Sequence, residues 1–380
     1  MRNSCNLIIE LDQPNQRYYA GDEVTGQVHV AVNKDYQCKN LRIICKWLAH
    51  GTGTEATGSR RFINAYSGEW SAGGVHSYPF SFTLPGGPCS YHGKLLEVDW
   101  QIEVRAEDSW SIDPREVLTF WVDSAPADRA IPYQTGDPRN SHNRTVDERN
   151  EQIAGSIWSR LIFTAVILAM ALFFLFLSLV AILDDVFELL LAIPMTALML
   201  YIAVSSFYGM IRNRLAYKRL GDLQVELSRT HLQPGDSFDV VVEFPSGANA
   251  SLNAVEVTFI GQERVISRSD DSRTTHRHHL VDPEPRLVAG SEGLRLVKGR
   301  GARLIHSLTI PHDAPPSFHA HENNLIWAVE VHVDVRRWPD WRKRFAIEVQ
   351  PLPSPPQGEL RGSPTTRDGE QSAAESDPVW

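Results

Sequence analysis

Histidines crowd into the later part of the chain: His276, His278 and His279, then His306, His312, His319 and His321. Imidazole nitrogen is a preferred zinc ligand, and a zinc site takes four N, S or O donors. The tightest group, His276-Arg277-His278-His279, includes a guanidinium that repels a cation and lies in a charged, loop-like stretch. His306 falls in a strand pattern, and His319 and His321 fall near a turn. His276, His278 and His279 are therefore weak metal candidates, and neither a metal nor any other cofactor is expected. Nucleophilic chemistry has no Gly-x-Ser-x-Gly elbow to carry it. Gly53 and Gly58 read as part of a loop without phosphate-cradling spacing. Glu103 and Glu330 sit within strands at matching places of a repeat, which points to structure rather than to a catalytic pair. Function resides in sites rather than folds, and no catalytic site emerges, so no enzyme is expected.

A different chemistry is written in Arg336-Arg337-Trp338-Pro339-Asp340-Trp341-Arg342-Lys343-Arg344. The cationic set Arg336, Arg337, Arg342, Lys343 and Arg344 attracts anionic headgroups, and Trp338 and Trp341 suit a bilayer interface. The competing reading is a solvated hairpin whose tryptophans pack on the domain beneath. With a net charge of -9, the chain lacks the basic footprint that nucleic acid requires. The four cysteines, Cys5, Cys38, Cys45 and Cys89, show no CxxC spacing and read as reduced, partly buried thiols. The apolar run in Met1–Glu10 is too short for a secretory leader, and none is expected.

Short alternating strands must position these groups. Leu7, Ile9 and Leu11 alternate with polar residues, and Ala20-Gly21-Asp22 turns the chain into Val24–Val30. Leu41–Trp47, Tyr78–Pro85, Val98–Arg105 and Leu118–Val122 continue the pattern, which is that of an antiparallel sandwich. From Leu223 the scheme repeats. Pro234-Gly235-Asp236 answers Ala20-Gly21-Asp22, and Val255–Phe259 answers Leu41–Cys45. Trp327-Ala328-Val329-Glu330-Val331 answers Trp100-Gln101-Ile102-Glu103-Val104, each at nearly the same distance after its Leu-Pro or Ile-Pro. Two duplicated all-β lobes are expected.

Between them lie two apolar runs, Ile157–Leu183 and Val186–Ile211, parted by Asp184 and Asp185. Each is long enough for a helix of about 20 residues to cross a bilayer. Pro194 would kink the second. The acidic tip and the basic flanks, with Arg149 and Arg160 on one side and Arg212, Arg214, Lys218 and Arg219 on the other, place the tip outside. The expected organisation is a first lobe over 1–123, a polar linker over 124–155, a transmembrane helical hairpin over 156–211, a second lobe over 222–350 and a disordered tail over 351–380. The expected location is the plasma or inner membrane, with both termini and both lobes cytoplasmic.

A strand, a [Pro/Ala]-Gly-Asp turn, a second strand and a delayed Leu-Pro resemble the arrestin superfamily. So does Tyr91–Trp100, which looks like the stretch leading into the family's paired long strands. The resemblance covers both lobes and implies two side-by-side sandwiches acting as a non-enzymatic adaptor or scaffold for a partner protein. Arrestins have a short hinge where this chain has a linker and hairpin. Pro355-Pro356 is followed by Gln357-Gly358, not by a ligase-recruiting tyrosine motif. The alternative functions are an outward-facing envelope-assembly or transport subunit and a zinc-dependent sensor or hydrolase built on the second-lobe histidines.

Overall fold

The computed structural model describes residues 4–107, 113–129, 131–136, 223–269, 272–289, 294–338 and 340–355, with scattered positions between 165 and 220. The first lobe contains β1 (Cys5–Leu11), β2 (Arg17–Tyr19), β3 (Glu23–Val32), β4 (Tyr36–Gly51) and β5 (Ala56–Trp70). It continues with β6 (Val75–Thr83), β7 (Tyr91–His92), β8 (Leu96–Glu107) and β9 (Arg115–Asp123). The second holds β10 (Gln224–Leu227), β11 (His231–Leu232), β12 (Ser237–Phe244), β13 (Ala250–Ser269), β14 (Ser272–His279) and β15 (Pro285–Ala289). It ends with β16 (Leu294–Leu296), β17 (Ala302–Thr309), β18 (Phe318–Ala320), β19 (Asn323–Val335) and β20 (Trp341–Val349).

Alternation decides which faces meet. Along β3, Val24, Val28, Val30 and Val32 are buried, and along β12 Phe238, Val240, Val242 and Phe244 are buried, each with more exposed residues between. These faces close small sheets, β1-β3-β6 and β10-β12-β17, over large ones, β2-β9-β8-β4-β5 and β11-β20-β19-β13-β14. The strand orders are the same in both lobes, down to the parallel β2–β9 and β11–β20 pairs.

The repeat reaches single hydrogen bonds. Trp100 Nε1 donates to Pro88 O at 2.9 Å, and Trp327 Nε1 to Pro315 O at 3.0 Å. Val122 N donates to Ser90 Oγ and Val349 N to Ser317 Oγ, both at 2.9 Å. Asp22 accepts from Tyr19 N, and Asp236 from Gln233 N, in turns whose Gly21 and Gly235 carry φ of 85° and 87°. A side chain at those positions would be strained, so glycine holds both turns. Each buried indole N–H left without its carbonyl would cost about 1–3 kcal/mol, which explains why the pair survives in both lobes.

Several expectations change. β5 and β14 fall where the sequence reads as loop, so Gly58 and the His276–His279 run lie in strands. The described part of the linker is held against the second lobe: Tyr133 OH donates to Ser317 O at 3.1 Å, and His319 N to Thr135 O at 2.6 Å. Ser124 Oγ donates to Leu352 O at 2.6 Å, so the start of the expected tail is also held. The rest of that tail lies outside the described residues.

The integral-membrane location with cytoplasmic lobes is corrected. Among the described residues, no helix is long and apolar enough to cross a membrane. Most of the expected hairpin, 156–211, lies outside the described residues.

Candidate interaction surfaces and the lobe junction

The basic-aromatic cluster caps the β19–β20 hairpin, and its tryptophans turn inward. Trp341 is buried, and Trp338 packs against the second-lobe core. Arg342 and Arg344 pair with Glu330 at 3.4 and 2.8 Å, and Lys343 lies over the Phe345 ring at 5.2 Å. Arg336, Arg337, Arg342 and Lys343 stay exposed. The tryptophans are thus taken by packing, because period-2 alternation in β20 points Trp341 to the core.

The β14 histidines do not converge. His276 and His278 share one face of the strand, and His279 takes the other, since neighbouring side chains alternate. No candidate metal group among the described residues includes them. What β14 offers instead is an edge. It ends the large sheet of the second lobe, as β5 ends that of the first. Its Ser272, Arg273, Thr274, Thr275, Arg277 and His279 are exposed. β5 exposes Phe62, and its pairing to β4 shifts register at three places. An open edge presents backbone N–H and C=O groups to any extended chain of the right register.

The lobes meet along a polar clasp. Glu263 of β13, 1% exposed, accepts from Tyr91 OH at 2.7 Å, Lys94 N at 3.0 Å and Leu95 N at 2.6 Å. Its carboxylate fills the space a side chain would need at Gly93, so glycine is required in the β7–β8 turn. Desolvation, aided by Glu263, pushes the Tyr91 phenol up, so it remains a donor. Thr54, in the β4–β5 loop that holds Gly53, donates from N to Ile266 O at 2.9 Å and accepts at O from Asn323 Nδ2 at 2.6 Å. Arg268 pairs with the buried Glu322 at 2.7 Å. Apolar contacts complete the junction: Trp47 meets Phe318 edge-on at 5.5 Å, and Val265, Phe318, Ala320 and Leu325 join the first-lobe core.

His319 is buried in this junction, and desolvation pushes its imidazole down to about 4, against the opposing hydrogen bond with Asn324. The folded value lies below the usual 6.5, so the neutral form is favoured by folding. Its contribution is full above about pH 6.5 and is lost as pH falls through about 4. The stability of the wild type should fall across that window, and His319→Gln should flatten that part of the curve. Urea midpoints measured from pH 7 to 4 test it; parallel curves would exclude His319 as the source.

Cys5, Cys38 and Cys45 are buried, Cys89 is partly so, and all four are free thiols. Burial pushes Cys5 up to about 11 and Cys45 and Cys89 up to about 12, which keeps these three protonated and poorly nucleophilic. Glu103 and Glu330 occupy equivalent outer-face sites, each ion-paired: Glu103 to Lys46 at 2.6 Å and Arg115 at 3.0 Å, and Glu330 to Arg342 and Arg344.

Two open-edged sandwiches clasped side by side define an arrestin-like β protein. Residues 66–124 match the family described as arrestin (or S-antigen), N-terminal domain. Among solved structures, the chain is similar to Spo0M, the sporulation control protein of Bacillus subtilis, at 21% identity and a TM-score of 0.26. That match covers 33% of this chain and 51% of the other, about half its length. A comparison with curated proteins found no match.

Proposed function

We propose that this chain is a non-enzymatic scaffold or adaptor that captures an extended segment of a partner protein by strand addition. The observation that supports it most is the open edge repeated in both lobes, β5 and β14 at the ends of like-ordered sheets. Main-chain pairing gives affinity in such binding, and alternate side chains give selectivity. The β14 edge carries Arg273, Arg277, His276, His278 and His279 on a chain of net charge -9. Such charges repel another basic edge, which prevents self-pairing, and favour an acidic extended segment. The arrestin-like fold agrees with an adaptor role by analogy of fold.

The test places a photo-crosslinking residue at Thr275, in the exposed edge, and at Asn15, in an exposed turn, within the full chain. Adducts at Thr275 should map to an acidic extended stretch of the partner and should fall at least severalfold with Arg277→Glu. Equal adducts at Asn15, or adducts indifferent to Arg277→Glu, would sink the edge reading.

A further inference from the structure

The outer face of the first lobe's large sheet holds a cluster that the adaptor role does not use. The register sets His50 of β4 opposite Glu97 of β8, and Glu97 opposite His92 of β7. Two imidazoles therefore flank one carboxylate in a single row across three strands. Asp99 stands two residues along β8, hence on the same face. His50 Nε2 lies 2.8 Å from Asp99 Oδ2 and 3.9 Å from Glu97 Oε2, and His92 Nε2 lies 2.8 Å from Asp99 Oδ1. Donor atoms of His50, Glu97 and Asp99 all lie within 4.8 Å of one another. Tetrahedral ligands bound at zinc distances sit about 3.4 Å apart, so small side-chain adjustments would enclose an ion. His92 is steadied by the Trp121 ring, edge-on at 5.1 Å.

Charge and duplication both say that the cluster is more than sheet surface. Several outer-face carboxylates are matched by guanidinium or ammonium groups, Glu103 by Lys46, Glu107 by Arg42 and Glu330 by Arg344, whereas in the second lobe His332 pairs with Glu256 and Asp340. The ion pairs of Glu97 and Asp99 are to imidazoles alone. Two carboxylates converging on one space without a fixed cation favour a bound dication. The second lobe folds the same way with Arg264, Asn324 and Ile326 where the first has His50, Glu97 and Asp99; only His92 has a like counterpart, His319. The sandwich does not need this set.

We propose that His50, His92, Glu97 and Asp99 form a binding site for a divalent transition metal of the zinc class. Two imidazoles select against calcium and magnesium, which take oxygen ligands. Each imidazole must present an unprotonated nitrogen to the ion, so binding weakens in acid. His92 and Glu97 flank the Gly93-Lys94-Leu95 turn that Glu263 clasps, so the metal also stiffens the lobe junction.

The full chain, stripped with chelator, is titrated with zinc chloride by calorimetry and with cobalt chloride by visible absorption. One equivalent of zinc, a tetrahedral cobalt spectrum and a raised Tm are expected. His50→Gln with His92→Gln should weaken binding by roughly a hundredfold and abolish the Tm rise. Asp99→Asn should weaken it as well, while His276→Gln with His278→Gln and His279→Gln should leave it unchanged. Zinc that does not bind stoichiometrically, an unaltered isotherm in the double variant, or equal competition by calcium would overturn the site. Should the double variant misfold, imidazole resonances of the wild type decide: zinc must shift His50 and His92, and shifts confined to other rings refute the proposal. Failure here leaves edge capture untouched, since the β14 crosslinks need no metal.

Discussion

Glu263→Ala should destabilise the chain by about 3–5 kcal/mol, the range for removing one partner from a buried charged cluster. The carboxylate is 1% exposed and accepts three bonds from the other lobe, two of them from backbone N–H groups with no side chain to rotate away. Alanine leaves those donors without their acceptor. Glu263→Gln keeps the shape and one acceptor oxygen but points an amide N–H₂ at an N–H donor, so its cost should be smaller, about 1–3 kcal/mol. Urea unfolding gives the total, and hydrogen exchange locates it. Protection should collapse over Tyr91–Leu96 and at the Thr54–Ile266 contact while β3 and β12 keep theirs. A loss below about 0.5 kcal/mol, within the range of ordinary surface changes, would show that the lobes dock without this clasp.

The sequence displays the elements that bury a face and hides those that do not. β3, β8, β12 and β19 alternate against a core, so their pattern is visible in Val24, Val28 and Val30 or in Trp327, Val329 and Val331. The paired Trp-to-Pro and Val-to-Ser bonds follow from that register, and the repeat is legible for the same reason. β5 and β14 are edges with little burial, and stretches such as Ser-Arg-Arg-Phe or Arg-Thr-Thr-His carry no period-2 signal. The His50–Glu97–His92 row is invisible in one dimension because cross-strand register, not spacing, makes it. His50 and Glu97 are far apart in sequence, and only the β4–β8 pairing sets them opposite. The loop-like histidines drew attention because they are adjacent in sequence, yet a strand sends such neighbours to opposite faces. The expected location rested on hydropathy alone, and among the described residues no helix is long and apolar enough to cross a membrane.

Glu103→Gln should cost about 2–3 kcal/mol at pH 7 and almost nothing near pH 2. Glu103 is fully buried on the outer face, within reach of Lys46, Arg105 and Arg115. Burial alone pushes its carboxyl up, but hydrogen bonds from Lys46 and then Arg105 prevail and hold it at about 2, below the usual 4.5. The folded value is the lower one, so folding favours the charged form. The resulting stability is fully present above about pH 4.5 and is lost as pH falls through about 2. At 1.36 kcal/mol per unit the shift amounts to about 3 kcal/mol, reduced somewhat because Arg105 and Arg115 are half exposed and screened. The shape of the difference is the discriminating result. Wild-type and Glu103→Gln stabilities should converge between pH 4.5 and 2, a window below that of His319. A gap that stays constant with pH would mean that glutamine is merely a poorer fit, and that the three cations do not hold this carboxylate in its charged form.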